Sequence, residues 1–350
     1  MFPVVRRVLF VVVTGLLMSP AFGANCLEVT ITGVQGGPPV FAGQAGSGTL
    51  VRYGSEENNC SDVLLQFDTG RGTTQQLSKL RVPVGQLSAV FLTHMHSDHV
   101  EGLVDLAQLR WHFNSAGPKL PVVCAENTKS FAGHEISCTA YTRHIGDALI
   151  NSGEIAQRLA ENPKRLPGGP ADLLETVTFP KSATGSEVWS SGDVSVSAVF
   201  SRHVAGHASY RVDTPAGSVV IGGDAGNDKP APPRDASTSA QVEALAQGAD
   251  VIVHSTIHPD MGPDGSTGFP PPIFFRQSTA TDLGAMAERT KTKHLMLTHL
   301  IPPLGAPRQG PFKLPKPLEE SDYSDAARAG GFSGNVVVGK DLATLRLVSE

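Results

Sequence analysis

The sequence lacks an excess of positive charge. Its 350 residues include 28 lysines and arginines against 33 aspartates and glutamates, which gives a formal net charge of −5 at pH 7. A surface of this charge does not attract nucleic acid or anionic lipid over long range. We therefore expect no nucleic acid among the partners of this protein.

The sequence also lacks an apolar run long enough to span a bilayer, which takes about 20 helical residues. The apolar stretch Val8–Met18 is shorter; Arg6 and Arg7 precede it, and the small residues Ala21 and Gly23 follow it. This is the layout of a secretory signal peptide at residues 1–23. We expect cleavage after Gly23, a mature net charge of −7, and a periplasmic or secreted protein without stable membrane insertion. An uncleaved membrane anchor is the alternative.

Cysteine is sparse, and its four positions contain no C-x-x-C pair, which argues against a thiolate metal site. An even number of cysteines in an exported chain predicts disulfides instead. Of the three ways to pair them, we favour Cys124–Cys138 with Cys26–Cys60.

No convincing linker and no short-period repeat divides the chain, so we expect one domain at residues 24–350. Short strand patterns come first, and after residue 89 strand and helix patterns alternate, which predicts an α/β protein. Residues 115–187 are less regular, contain a helical pattern at 146–160, and are predicted to be an insertion that walls a pocket. The proline- and glycine-rich loop at 259–272 is interpreted as a lid, a homodimer contact or a plain surface loop.

The segment FLTHMHSDHVEGL at residues 91–103 crowds metal-binding side chains directly after an apolar run. In an extended loop, residues two apart project to the same side, so His94 and His96 can hold one cation. Asp98 and His99 follow where a helix begins, and they face a second position. We therefore predict two divalent cations about 3.5–4 Å apart.

Two cations need further ligands, and other strand patterns end on suitable residues. Asp224 ends SVVIGGD and could bridge the cations, while His299 ends LMLTH. In SRHVAGHASY, either His203 or His207 could serve. Open α/β sheets build their sites at the carboxyl ends of strands. Imidazole and carboxylate ligands suit zinc, with manganese or iron as the alternatives.

With these residues in view, THMHSDH resembles the H-x-H-x-D-H signature of the metallo-β-lactamase superfamily. FDTGRGTTQQL looks like the early Asp-Gly-Gly-Thr turn of the ribonuclease Z and arylsulfatase-like branch, with Asp68 in place of its structural aspartate. HVAGHASYRVD is similar to a motif of that branch in which a histidine precedes a Tyr-Arg strand by seven residues. This resemblance selects His203 over His207.

The resemblance implies an αββα sandwich of two mixed sheets with helices outside. The implied ligands are His94, His96 and His203 for one metal, Asp98, His99 and His299 for the other, and Asp224 between them. The metals would share a hydroxide that attacks the substrate. The catalytic roles implied are orientation of the nucleophile by Asp98 and protonation of the leaving group by His254.

Departures from the branch narrow the expected substrate. Ser255 stands where ribonuclease Z has a glutamate after the histidine matched by His254, and the TPAG turn at 214–217 replaces the long basic arm that grips transfer RNA. Together with export and negative charge, these departures make ribonuclease Z-type RNA processing an unfavoured interpretation. The bridging Asp224 argues for esters rather than lactams.

We therefore predict an exported dinuclear metal-dependent hydrolase of small esters, with aryl sulfates, phosphodiesters and lactones in that order. The alternatives are a β-lactamase-like amidase, and a metal-binding protein without turnover.

Overall fold

The computed structural model describes residues 24–114, 116–151, 154–162, 164, 173–182, 184–265, 267–306 and 308–349. The predicted signal peptide at 1–23 lies outside the described residues. Within the described ranges, no helix combines the length and the apolar character needed to cross a bilayer.

The described residues form two seven-stranded sheets. In spatial order, the first sheet contains β18 (Thr344–Val348), β1 (Asn25–Gly33), β2 (Gly48–Ser55), β3 (Val63–Phe67), β4 (Ala89–Phe91), β5 (Leu120–Ala125) and β8 (Leu174–Phe179). The second contains β17 (Asn335–Val338), β14 (His294–Ile301), β13 (Val251–Ile257), β12 (Gly217–Ile221), β11 (Ala208–Thr214), β10 (Val194–Phe200) and β9 (Ser186–Ser191). Two short hairpins pair β6 (Thr128–Lys129) with β7 (Glu135–Ile136) and β15 (Arg308–Gln309) with β16 (Phe312–Lys313).

Each sheet has an antiparallel half and a parallel half. In the first sheet, β18, β1, β2 and β3 pair antiparallel, and β3, β4, β5 and β8 pair parallel. In the second, β9 to β12 pair antiparallel, and β12, β13, β14 and β17 pair parallel. The predicted α/β class and αββα sandwich of mixed sheets are confirmed.

Helices connect the strands, as parallel neighbours require. They are α1 (Thr73–Lys79), α2 (Ser97–Val100), α3 (Gly102–Asn114), α4 (Cys138–Asn151), α5 (Glu154–Glu161), α6 (Ala240–Ala246), α7 (Pro271–Phe274), α8 (Ala280–Arg289) and α9 (Glu320–Ala329). The sequence explains where two of these helices begin. Ser239 caps α6 by accepting a hydrogen bond from the Val242 backbone N–H, and Thr279 caps α8 by accepting one from the Asp282 backbone N–H.

The main core lies between the two sheets and includes an aromatic cluster near the end of β4, where the loop with His94 and His96 begins. Phe67 and Phe91 of the first sheet stack with their ring centroids 4.7 Å apart, and Tyr210 of the second sheet packs edge-on against Phe91 at 5.4 Å. The Tyr210 hydroxyl donates a 2.7 Å hydrogen bond to the Leu92 carbonyl. This contact fixes the end of β4, from which the loop departs.

The segment at 115–187 differs from the predicted insertion. β5 and β8 are strands of the first sheet, and two helices, α4 and α5, stand where one was expected at 146–160. β5 is a nearly fully buried strand, so its sequence shows no polar alternation that would mark it. Both predicted disulfides are present: Cys124–Cys138 joins β5 to α4, and Cys26–Cys60 joins β1 to the turn after β2.

Candidate metal centre

Asp68, at the end of β3, positions the loop that carries the first ligands. Its Oδ1 accepts a 2.7 Å hydrogen bond from the Thr93 backbone N–H, and its Oδ2 accepts one of 2.8 Å from the Thr93 hydroxyl. Asp68 adopts φ 53°, in the left-handed region. This strained turn is stabilised because both carboxylate oxygens accept hydrogen bonds from Thr93, which lies just after β4.

The structure brings all seven predicted ligands together in one cluster. Donor atoms lie within 4.8 Å of one another in three groups, which are His94 with His96 and His203, Asp98 with His99 and His299, and His94 with His99 and Asp224. The first two groups are the two ligand sets that the resemblance implied. We call them set one and set two.

Asp224 lies between the two sets. Its Oδ2 is 3.7 Å from His203 Nε2, 3.6 Å from His99 Nε2 and 3.3 Å from His299 Nε2. Two donors bound to one zinc ion at about 2.0–2.2 Å in tetrahedral geometry lie about 3.3–3.6 Å apart. The carboxylate is therefore placed to share a cation with either set.

The centre contains buried polar atoms that no side chain satisfies. Those that face the two ligand sets are His94 Nε2, His99 Nε2, His203 Nε2 and Asp224 Oδ1. Buried polar atoms in native proteins almost always have a partner. Imidazole nitrogens and a carboxylate oxygen are ligand atoms for divalent transition metals, so the residues fit two such cations.

Hydrogen bonds set the tautomers that such cations require. His99 Nδ1 donates to Asp68 Oδ2 at 2.8 Å, since a carboxylate only accepts. The Thr93 hydroxyl donates its single proton to Asp68, so it accepts from His94 Nδ1 at 3.1 Å. In both histidines the protonated Nδ1 leaves Nε2 with a free lone pair that faces the centre.

Burial and neighbouring charge separate the histidines into two classes. Burial, together with the charges of His99 and His203, holds the pKa of His94 well below 6.5. Burial also lowers the pKa of His203 to about 4. Both imidazoles are therefore neutral at pH 7, the form in which histidine binds metal.

His99 and His299 behave in the opposite way. Burial acts to lower the pKa of His99, but the Asp224, Asp68 and Asp98 carboxylates outweigh it and raise the pKa well above 6.5. The pKa of His299 is raised against burial in the same way, by Asp224 and Asp98. The buried carboxylates of this cluster are stable only beside positive charge, which either protons on His99 and His299 or bound cations can supply.

A β-bulge directs His299 into the centre. The register between β13 and β14 shifts so that Thr298 pairs with Ser255 and Leu300 with Thr256, which leaves His299 unpaired at φ 46°. A side chain on Gly36 would lie 2.8 Å from His299 Nδ1, so glycine leaves room for the ring.

His203 and His207 have different positions. His203 joins set one, whereas His207 Nε2 accepts a 3.0 Å hydrogen bond from the Asp224 backbone N–H. His207 Nδ1 then donates to Ser201 Oγ at 2.9 Å, and burial keeps the ring neutral by lowering its pKa. Sequence reasoning missed this support of the bridging carboxylate, because nothing in the spacing shows which backbone group a histidine contacts.

His254 lies behind the centre. It is fully buried, its Nδ1 donates to the Ser255 carbonyl at 2.7 Å, and burial lowers its pKa to about 4. Its ring packs so closely against Gly222 that a side chain there would overlap it. His254 is not among the described residues that line the adjoining pocket, so its role as a proton donor stays a prediction.

A pocket of about 610 Å³ opens directly over the centre. Its outer walls are mainly apolar, and the aromatic rings of Phe269 and Phe312 meet edge-on at 5.2 Å. Phe269 belongs to the 259–272 loop, and Phe312 to the β15–β16 hairpin. None of the described residues of 115–187 lines this pocket.

Comparison with known proteins agrees with this geometry. Residues 65–300 match the family described as Beta-lactamase superfamily domain. The chain belongs to this superfamily. It is 28% identical to ribonuclease Z of Mycobacterium bovis (strain BCG / Pasteur 1173P2) over 318 residues, which cover 90% of this chain and 96% of that protein.

Two solved structures have the same fold. The metallo-beta-lactamase fold protein YhfI from Bacillus subtilis matches with a TM-score of 0.59 and 18% identity, covering 92% of this chain and 99% of that one. The short form of human tRNase Z matches with a TM-score of 0.56 and 15% identity, covering 91% and 98%. The predicted superfamily is confirmed, the ribonuclease Z relatives fit the predicted branch, and the chain is a metallo-β-lactamase-fold hydrolase.

Proposed function

We propose that this protein hydrolyses small phosphodiesters with two bound divalent cations, for which zinc is the expected metal. The observation that carries the proposal is the position of Asp224, whose Oδ2 lies within reach of both ligand sets at the floor of a pocket. The ribonuclease Z relatives support a phosphodiester bond as the target, ahead of aryl sulfates and lactones.

Each part of the centre has a distinct task. Set one and set two would each hold one cation, with Asp224 shared. When bound, the cations supply Lewis acidity, which lowers the pKa of water and offsets negative charge on phosphoryl oxygens. Asp98 Oδ2 accepts a 2.9 Å hydrogen bond from the Gly37 N–H and lies 3.1 Å from His299 Nε2, which fixes the carboxylate at the pocket floor. His99 and His299 outweigh burial and keep the pKa of Asp98 below 3.8, so Asp98 is ionised and can orient a water molecule.

The pocket supports a small diester with an apolar group. Its volume of about 610 Å³ lies within the range of small-molecule sites, about 300–1,000 Å³. Pro38, Pro39, Phe269, Ile273 and Phe312 offer apolar surface on which an aryl or alkyl group can pack.

RNA cleavage is the second candidate, because the ribonuclease Z relatives match 90% of this chain. Against it stands the connection between β11 and β12, in which Thr214 pairs with Gly217 and only Pro215 and Ala216 lie between. Such a turn leaves no room for an arm between these strands that could hold a long nucleic acid. The negative net charge also disfavours RNA.

We also propose that the protein acts in the periplasm or outside the cell after cleavage at Gly23. Two disulfides support an oxidising compartment, since such bonds are rare in the cytosol. Amino-terminal sequencing of the protein recovered from the expressing cells tests this proposal. A protein that keeps residues 1–23 and stays in the cytosol would contradict it.

The test of activity begins with the measured cation content of purified protein. The protein is then offered bis-nitrophenyl phosphate, nitrophenyl sulfate, a lactone, a chromogenic lactam and a precursor transfer RNA. We expect cation-dependent turnover of the phosphodiester, loss of turnover in His99→Ala, and no change in His144→Ala, which alters an exposed histidine. Fully loaded protein that turns over only the lactam, or nothing, would refute the proposal, and cleavage of the RNA would favour the second candidate.

A further inference from the structure

Arg276 follows α7 and is anchored beside the metal centre by its own segment. Its backbone carbonyl lies 3.4 Å from His203 Nδ1, within set one. Two residues later, the Ser278 hydroxyl donates a 2.7 Å hydrogen bond to the Ala225 carbonyl, next to Asp224. These contacts tie the segment to the loop that carries the bridging carboxylate, so the position of Arg276 relative to the centre is fixed.

The Arg276 side chain faces the pocket. It is partly buried and lines the pocket together with His96, His203 and Asp224. Arg276 therefore shares the pocket wall with two residues of set one.

Among the described residues, Arg276 has no acidic partner, whereas several other arginines form ion pairs with carboxylates. Its Nε is buried and has no hydrogen-bond partner. The nearby Arg234 differs, because its guanidinium donates to the carbonyls of Lys229 and Phe275. An unsatisfied buried donor is costly, which favours a ligand that accepts from the Arg276 guanidinium.

The charges around Arg276 indicate the nature of that ligand. Two divalent cations would bring four positive charges, against the three carboxylates of Asp98, Asp224 and Asp68. With the hydroxide that the cations would share, the charges of the loaded centre would balance, and Arg276 would give the pocket a net positive charge. A neutral ester gains little from this extra charge, whereas a phosphodiester anion can accept charge-assisted hydrogen bonds from a planar guanidinium.

We propose that Arg276 binds a non-bridging phosphoryl oxygen and thereby selects anionic esters over neutral ones. The inference rests on the proposed function, because it assigns a specificity residue to the same pocket. Arg276 takes no part in bond breaking. The expected consequence is a change in substrate preference, which a loss of general activity would not produce.

The test compares metal-loaded wild-type protein with Arg276→Gln, Arg276→Lys and the control Arg234→Gln. For each protein, kcat/KM is measured for anionic bis-nitrophenyl phosphate and neutral nitrophenyl acetate, and the affinity for inorganic phosphate is measured by calorimetry. Arg276→Gln should lower kcat/KM for the diester and the phosphate affinity about 10- to 100-fold, the effect of losing a charge-assisted hydrogen bond. For nitrophenyl acetate, kcat/KM of Arg276→Gln should stay within about twofold of the wild-type value. Arg276→Lys should lose less diester activity and phosphate affinity than Arg276→Gln, because lysine keeps the positive charge but lacks the paired N–H donors of the guanidinium.

Arg234→Gln removes a cation that supports the same segment without lining the pocket, so its substrate preference should equal that of the wild type. Equal losses on both esters in Arg276→Gln, at unchanged cation content, would overturn the proposal, as would an unchanged diester rate. If loaded wild-type protein does not turn over the diester, the proposed function fails, but phosphate binding still decides the role of Arg276. Equal phosphate affinity in wild type and Arg276→Gln would then overturn it, and weaker binding in the variant would support it.

Discussion

Replacing Asp68 with asparagine should change which nitrogen of His99 carries the proton. In the native protein, His99 Nδ1 donates to Asp68 Oδ2 at 2.8 Å, and Nε2 is free for a cation. Asparagine can keep its oxygen on the Thr93 N–H, but its amide group then faces His99 Nδ1 as a donor. The ring is driven to the tautomer with the proton on Nε2, the atom that would bind metal.

The size of the effect follows from the position of Asp68 behind the ligand. Removing the hydrogen-bond partner of a metal-binding histidine typically costs 10- to 100-fold in metal affinity, or about 1.4–2.8 kcal/mol. The loss should fall on set two, because set one contains no histidine that Asp68 contacts directly. The fold should persist, since the Thr93 N–H keeps an acceptor.

The assay is a zinc titration against a chelator of known affinity at fixed pH. Wild-type protein should release two ions over one narrow range of chelator, and Asp68→Asn should release one ion about 10- to 100-fold more easily than the other. Asp105→Asn is the matched control, because Asp105 also accepts a hydrogen bond from a threonine, Thr74, but lies outside the centre. Equal weakening of both ions, or two unchanged affinities, would refute the tautomer argument.

Three further predictions concern pH and packing. Because the pKa values of His99 and His299 are raised, protons compete with cations, and zinc affinity in chelator titrations should fall up to about tenfold per imidazole for each pH unit below pH 7. Burial opposes ionisation of Asp250, but the hydrogen bond from Lys293 and others outweigh it and lower its pKa below 3.8. Ionised Asp250 therefore stabilises the fold fully above about pH 5, and this stabilisation is lost as pH falls. In urea unfolding, the free energies of unfolding of Asp250→Asn and wild type should differ at pH 6 and converge near pH 2. Leu283→Ala, at a fully buried position of α8, should lower the free energy of unfolding by about 2–5 kcal/mol in the same assay.

The clustering of the predicted ligands could be anticipated from the sequence because it follows short, local rules. His94, His96, Asp98 and His99 occupy one loop after a buried strand, so their closeness in space follows from their closeness in sequence. Asp224 and His299 end parallel strands of the other sheet, and parallel strands bring their carboxyl ends to one edge. Neither inference needed the packing of side chains.

The pocket walls could not be predicted in the same way. Phe269 and Phe312 meet only because a loop and a hairpin from different parts of the chain pack against each other. Local pattern carries no information on such a contact, and the described residues of 115–187, the segment predicted to wall a pocket, do not line this one. That stretch contains β5, whose continuous burial removed the alternation by which strands are usually found.

His203 and His207 illustrate which roles can be predicted from the sequence and which become visible only in the structure. Both are buried beside Asp224, but His203 Nε2 faces its carboxylate and His207 Nε2 accepts from its backbone N–H. One histidine can therefore share a cation with Asp224, while the other holds the turn that aims Asp224 between the two ligand sets. Spacing and resemblance together selected His203, the histidine that the structure places in set one. The supporting role depends on a backbone contact, and such a contact becomes visible only when the two sheets are placed face to face.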